Sequence, residues 1–223
     1  MLDAGAGEHS LRWLGGLPTQ RLVGVTAGAN AAMRGALRPQ DQLLIGNWTD
    51  EALLARERFD VVLADYLLGA IDGFAPYFQD RLFARLRRHV GGVLYVVGLD
   101  PMPDSAVEPG GQLIIDINRL RDACILLAGH RCYREYPMEW TLCSLEGSGY
   151  RVEAAERLPI LFGERYVRSQ LGVCERKLPF FGDRALAERM GEHIAELRGR
   201  ALQAVAAGPI RFGNDYVVSA RPA

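Results

Sequence analysis

Leu2-Asp3-Ala4-Gly5-Ala6-Gly7-Glu8-His9-Ser10 stands at the start of the chain. A short apolar entry ends in an acid, runs into two glycines one residue apart, and leads into an amphipathic stretch over 8–15. Residues without Cβ let a backbone turn sharply and lie close to a ligand, so the stretch predicts a strand, a tight turn and a helix, with the turn as a binding loop. Alone, a Gly-x-Gly is weak evidence, and a plain strand–helix turn explains it equally well. The order of the elements that follow gives it weight.

Working outward, 1–4 reads as a first strand and 8–15 as a first helix. Strands are expected over 21–25, 42–46 and 59–64, the last apolar enough to be covered on both faces. Helices are expected over 29–37, stopped by Pro39, and over 80–89, whose basic last turn suits the negative end of a helix dipole. Gly91-Gly92 breaks the chain before a fifth strand over 93–97. Beyond residue 100, Pro101, Pro103, Pro109 and Gly110-Gly111 predict a loop, followed by helices over 117–128 and 137–146 and a sixth strand over 149–153. Asp183 suits the N-cap of a long helix carrying Leu186, Met190, Ile194, Leu197, Ala201 and Val205 on one core-facing stripe, closed by Gly208-Pro209. A last strand is expected over 215–220.

This alternation predicts an α/β protein of three α/β/α layers, with a mostly parallel seven-stranded sheet and an antiparallel C-terminal strand. Its 223 residues fit one domain, 1–223, in which 158–209 forms a helical insertion between the last two strands. Hydrophobic residues at 49% and charged residues at 24% exclude disorder and coiled coil, and no apolar run is long enough for a membrane span. Of 26 basic residues only Lys177 is a lysine, and 27 acidic residues balance them, so no excess charge marks a nucleic-acid surface. Cys124, Cys132, Cys143 and Cys174 lack zinc-ligand spacing, so no metal is expected and the thiols are read as reduced, and buried or incidental. Without a recognisable secretory leader the expected location is cytoplasmic.

Taken in order, the glycine turn, Thr26 at the end of the second strand, Asn47-Trp48 after the third, Phe59–Tyr66 and Gly91-Gly92 before the fifth make the chain resemble the class I S-adenosylmethionine-dependent methyltransferases. That resemblance implies a Rossmann-like fold and S-adenosylmethionine as cofactor, with S-adenosylhomocysteine as product. It implies that Asp3 holds the amino-acid part of the cofactor and that Gly5 and Gly7 let the backbone pass the ribose. His9 stands where the family has a third glycine. Thr26 stands where an acid accepts both ribose hydroxyls, Asn47 where an acid receives the adenine amino group, and Trp48 where a ring lies on the adenine face. Asp65 borders the cofactor. Helices usually precede the first strand in that family, so further sequence before Met1 is expected, or else 158–209 serves as the lid.

Methyl transfer from a sulfonium is an in-line displacement in which the protein aligns a small-molecule acceptor and supplies a base where one is needed. Tyr66 and His130 are the catalytic candidates, with Asp65 and Glu135 beside them. Tyr133, Tyr136 and Trp140 are read as core aromatics before pocket aromatics. Arg165, Tyr166, Arg168 and Gln170 are read as solvated before anion-binding. Two other readings stand: a non-catalytic partner or scaffold with the methyltransferase fold, motivated by Thr26 and His9, and a nicotinamide-dependent oxidoreductase, motivated by Gly5-x-Gly7-x-x-Ser10. Homo-oligomerisation is left open.

Overall fold

The computed structural model describes all residues, Met1–Ala223. Elements follow in the order β1 (Leu2–Asp3), α1 (Glu8–Gly15), β2 (Val23–Thr26), α2 (Ala31–Gly35), β3 (Gln42–Ile45), β4 (Phe59–Asp65), α3 (Leu67–Ala70), a 3-10 turn (Ile71–Gly73), α4 (Gln79–Arg87), β5 (Val90–Leu99) and α5 (Pro109–Leu127). Then come α6 (Met138–Gly147), β6 (Tyr150–Phe162), α7 (Glu164–Lys177), α8 (Arg184–Ala206) and β7 (Ile210–Pro222). No helix is long and apolar enough to cross a membrane.

The seven strands form one sheet in the order β3-β2-β1-β4-β5-β7-β6. β1 pairs in parallel with β2 and β4, β2 with β3, and β4 with β5, while β7 runs antiparallel to β5 with Leu94 opposite Ala220 and Leu99 opposite Asp215. The chain therefore winds outward from β1 in one direction through β3, then restarts at β4 in the other. Such a reversal opens a crevice at the carboxyl ends of β1 and β4.

β1 contributes only Leu2 and Asp3, although the Ala4 amide continues its ladder with a 2.8 Å bond to the Leu63 carbonyl. Both residues are buried, because a central strand is covered by helices on each side. α1 spans 8–15 as expected.

By contacts the chain divides into two compact units, one of residues 1–100, 133–158 and 215–223, the other of residues 101–132 and 159–214. Of the segment 158–209 expected as an insertion, 159–209 shares a unit with 101–132. The first unit is built on Leu2, Val62, Leu94 and Val218 of the sheet, packed with Leu82, Phe83 and Leu86 of α4. The second has its own core of Ile114, Ile117 and Cys124 from α5, Val167, Leu171 and Cys174 from α7, and Ile194, Leu197 and Ala201 from α8. Those last three residues belong to the anticipated stripe, and Asp183 caps α8 by accepting the Leu186 amide at 3.1 Å.

The loop expected from Pro109-Gly110-Gly111 is instead the first turn of α5. Proline is tolerated at the start of a helix, where its missing N–H has no partner to lose. The two glycines make room for β7 side chains: a Cβ on Gly110 would sit 3.1 Å from Ile210 Cγ2, and one on Gly111 2.6 Å from Phe212 Cδ2. β6 and β7 also run well beyond their expected ends, and α7 was not anticipated as a separate helix. No disulfide joins the four cysteines; Cys124 and Cys174 are buried, while Cys143 is exposed.

Candidate functional site

Asp3 is fully buried beneath the glycine turn. One carboxylate oxygen accepts the Ser10 hydroxyl at 2.6 Å and the other accepts the Gly5 amide at 3.3 Å. Burial pushes its carboxyl up to about 6, with the Ser10 and Gly5 bonds opposing that shift. Ser10 also accepts the Gly7 amide at 2.9 Å, so a buried acid and a serine together cap α1 and brace the turn. Asp3 is therefore a support for the turn, and its oxygens are not turned toward an open cavity. The serine that nearly completes Gly-x-Gly-x-x-Gly is this brace.

Over the turn lies a cavity of about 350 Å3. Gly5 and Ala6 line it from the turn, Thr26 and Gly28 from the end of β2, Asn47 and Trp48 from beyond β3, and Asp65 from the end of β4. The crevice predicted by the strand order is where this cavity is found, and five of the seven expected cofactor residues border it. Asp3 and Gly7 do not. A Cβ on Gly5 would sit 3.1 Å from Leu67 Cβ, so Leu67 would have to give by a few tenths of an ångström.

The polar groups expected to read a cofactor are engaged within the chain. Thr26 Oγ1 donates to the Gly28 carbonyl at 3.0 Å. Asn47 Oδ1 accepts both the amide and the hydroxyl of Thr49 at 3.0 Å, while its Nδ2 donates to the Phe74 carbonyl at 2.9 Å. Asn47 thereby ties the β3 loop to the far wall. Trp48 is 3% exposed, donates from Nε1 to the Ala4 carbonyl at 2.7 Å and carries the Arg85 guanidinium over its ring at 5.2 Å. Its indole packs in the core and still borders the cavity. Arg85, expected only to complement a helix end, also donates to the carbonyls of Trp48, Asp50 and Leu53.

The opposite wall is formed by Leu67, Ala70, Ile71 and Phe74, with Tyr133 over them. Tyr133, read from sequence as a core residue, is half exposed and lines the cavity. Tyr136 and Trp140 do pack on the core, their rings 4.3 Å apart. The segment 133–136 is seated by two glycines: a Cβ on Gly69 would lie 2.3 Å from Glu135 Oε2, and one on Gly73 3.1 Å from the Tyr133 ring. The Arg134 amide bonds the Gly69 carbonyl at 3.1 Å, and its guanidinium reaches the buried Asp72 at 3.5 Å.

Tyr66 follows Asp65 in a left-handed conformation, φ 46° and ψ 17°, because β4 must turn abruptly into α3. Asp215 of β7, a residue the sequence reading did not single out, stands beside the Tyr66 hydroxyl. Burial and the neighbouring carboxylates hold the phenol far above its ordinary range. Burial raises the Asp65 and Asp215 carboxyls, and the Asp215 charge raises Asp65 further. No signal short of the antiparallel register of β7 could have placed Asp215 beside Tyr66. His130 lies in the second unit, edge-on to Phe180 at 5.3 Å with Lys177 Nζ 3.4 Å from its Nδ1, and does not line the cavity. In the same unit Tyr166 donates to Asn118 at 2.9 Å, Arg168 pairs with Glu164 and Gln170 accepts Arg121 at 3.0 Å. These groups are occupied locally.

No protein-family model matches the chain, and no curated protein sequence is similar to it. Solved structures match over nearly its whole length. A protein from Bacillus halodurans C-125 described as a methyltransferase is 17% identical, with 99% of this chain and 91% of that one covered and a TM-score of 0.59. Cyclopropane synthase MmaA2 from Mycobacterium tuberculosis is 17% identical, covering 99% and 77%, with a TM-score of 0.54. The Burkholderia thailandensis 1,6-didemethyltoxoflavin-N1-methyltransferase, solved with 1,6-didemethyltoxoflavin and S-adenosylhomocysteine bound, is 14% identical, covering 99% and 69%, with a TM-score of 0.52. The fold is that of the class I S-adenosylmethionine-dependent methyltransferases. At these identities the likeness establishes the methyltransferase fold and leaves the chemistry to the residues of this chain.

Proposed function

We propose that the protein transfers a methyl group from S-adenosylmethionine to a small-molecule acceptor. The observation that supports this reading best is the cavity at the strand-order reversal of a methyltransferase fold, with Gly5, Thr26, Gly28 and Asp65 on its wall. Its residues fit the cofactor in part. Gly5, Ala6 and Gly28 allow close backbone approach, whereas Thr26 offers a neutral hydroxyl where a carboxylate would bind a ribose more strongly. When bound, the cofactor supplies an activated methyl group on a sulfonium, so the chain's task is alignment and exclusion of water.

Asp65 and Tyr66, at the carboxyl end of β4, are the residues we assign to the acceptor side. The phenol stays protonated at neutral pH, and its single proton turns from Asp215 to an acceptor atom to orient it; Asp65, its carboxyl raised by burial and by Asp215, is the base for an acceptor proton. Phe74 and Tyr133 give that side of the cavity an aromatic wall suited to an apolar or planar acceptor. His130 has no part in this assignment.

Calorimetry with S-adenosylhomocysteine is the direct test. Saturable binding is expected, and no binding at millimolar ligand would remove the reading. A second reading, a non-catalytic protein with this fold, is favoured by one observation: Asp3, Thr26 and Asn47 all spend their polar atoms inside the chain. It is the reading left standing if calorimetry shows no cofactor bound. The nicotinamide alternative has no comparable observation behind it.

A further inference from the structure

β6 is the last strand of the sheet, hydrogen-bonded to β7 on one side only. It is 13 residues long, and every residue from Glu153 to Pro159 is exposed on both faces of the strand. A long uncovered edge presents unpaired N–H and C=O groups and is a template for another strand. The other edge, β3, has only four residues.

We infer that β6 pairs antiparallel with β6 of a second copy of this chain, about a two-fold axis at Ala155. The argument rests on the sequence of the exposed run, Arg151-Val152-Glu153-Ala154-Ala155-Glu156-Arg157-Leu158. A two-fold axis relating neighbouring antiparallel strands of one sheet stands perpendicular to the sheet and keeps each side chain on its own face. The axis must therefore pass beside a residue that meets its own copy. Centring on Glu153, Glu156 or Arg157 sets like charges directly opposite each other. Centring on Ala154 sets Arg151 against Arg157. Centring on Val152 or Leu158 also opposes no like charges, but the first carries the pairing onto the buried Tyr150 and the second puts Pro159, without an N–H, next to the axis, which leaves Ala155. It places Glu153 across from Arg157 twice and Val152 across from Leu158 twice, with Ala154 facing Glu156.

Glu153 and Arg157 already hold Arg221 at 2.8 Å and Asp100 with Glu139 at 2.6 Å within their own chain, so the cross-strand pairs extend existing networks. Their contribution is register; affinity comes from the backbone ladder and from covering Leu158, which is 43% exposed. Pro159 has no N–H and ends the ladder.

Sedimentation velocity at tens of micromolar protein is expected to show a species of twice the 24.6 kDa chain mass, and a single monomeric species would overturn the inference. The register has its own test, in a Cys132→Ser/Cys143→Ser background. Ala155→Cys should cross-link to a covalent dimer under mild copper-phenanthroline oxidation, several-fold faster than Glu153→Cys in the same background. Equal or reversed rates would overturn the axis at Ala155. Because neither measurement uses the cofactor, their outcome is independent of S-adenosylhomocysteine binding.

Discussion

Asp3 shows how much of a residue's setting lies outside its local sequence. Its type and spacing to Gly5 and Gly7 were legible, but its complete burial and the Ser10 bond depend on strands and helices far along the chain. The carboxyl is raised from 3.8 to about 6 in the fold, so the folded protein holds this proton more tightly than the unfolded chain. Its contribution is fully present below pH 4 and is withdrawn as the pH rises through 6, a change of roughly 3 kcal/mol. Asp3→Asn should therefore gain stability relative to the unaltered protein between pH 4 and 7, by up to about that amount. Denaturant titrations across that range check it, and parallel curves would place the proton elsewhere. Asp215→Asn removes the charge that adds to the burial effect on Asp65, so the Asp65 carboxyl should titrate at lower pH, as carbon NMR of labelled aspartate can follow. Thr26→Asp restores a charged acceptor at the end of β2. It should tighten S-adenosylhomocysteine binding roughly 5- to 10-fold, the difference between a neutral and a charge-assisted hydrogen bond. Unchanged affinity in calorimetry would move the ribose away from β2.

Among the elements, α1 and the order of β1 to β5 were readable because hydrophobic period and glycine breaks are local signals. The start of α5 and the extensions of β6 and β7 were not, since Gly110 and Gly111 answer to Ile210 and Phe212 a hundred residues away. A separation of some sixty residues likewise hid the seat of segment 133–136 on Gly69 and Gly73. Local pattern placed Tyr133 in the core, but the tight notches at Gly69 and Gly73 hold it over the cavity instead. Gly69→Ala would press a methyl group on the Glu135 carboxylate, the far end of a flexible side chain that can swing aside without moving its backbone. We expect a loss below about 1 kcal/mol, read as a melting temperature lowered by no more than a few degrees. A larger loss would show that the carboxylate cannot leave and that segment 133–136 is held by that contact.

For the molecule as a whole, a single domain with one insertion was the natural expectation from length, yet the contacts resolve two units with separate cores. The strands β6 and β7 supply residues to both, so no composition change or flexible linker marks the division in the sequence. Two cores imply that local opening of one need not expose the amides of the other. Leu171 on α7 is fully buried in the second core beside residues of α5 and α8. Leu171→Ala removes its branched side chain and leaves a cavity, at a cost of about 2–5 kcal/mol. Hydrogen exchange followed by mass spectrometry should then show faster exchange in α5, α7 and α8, with protection of β1, β4 and the glycine turn unchanged. If the amides of β1 and β4 lose protection by the same factor, the two cores open together and the cavity over Gly5 depends on the helices of the second unit for its stability.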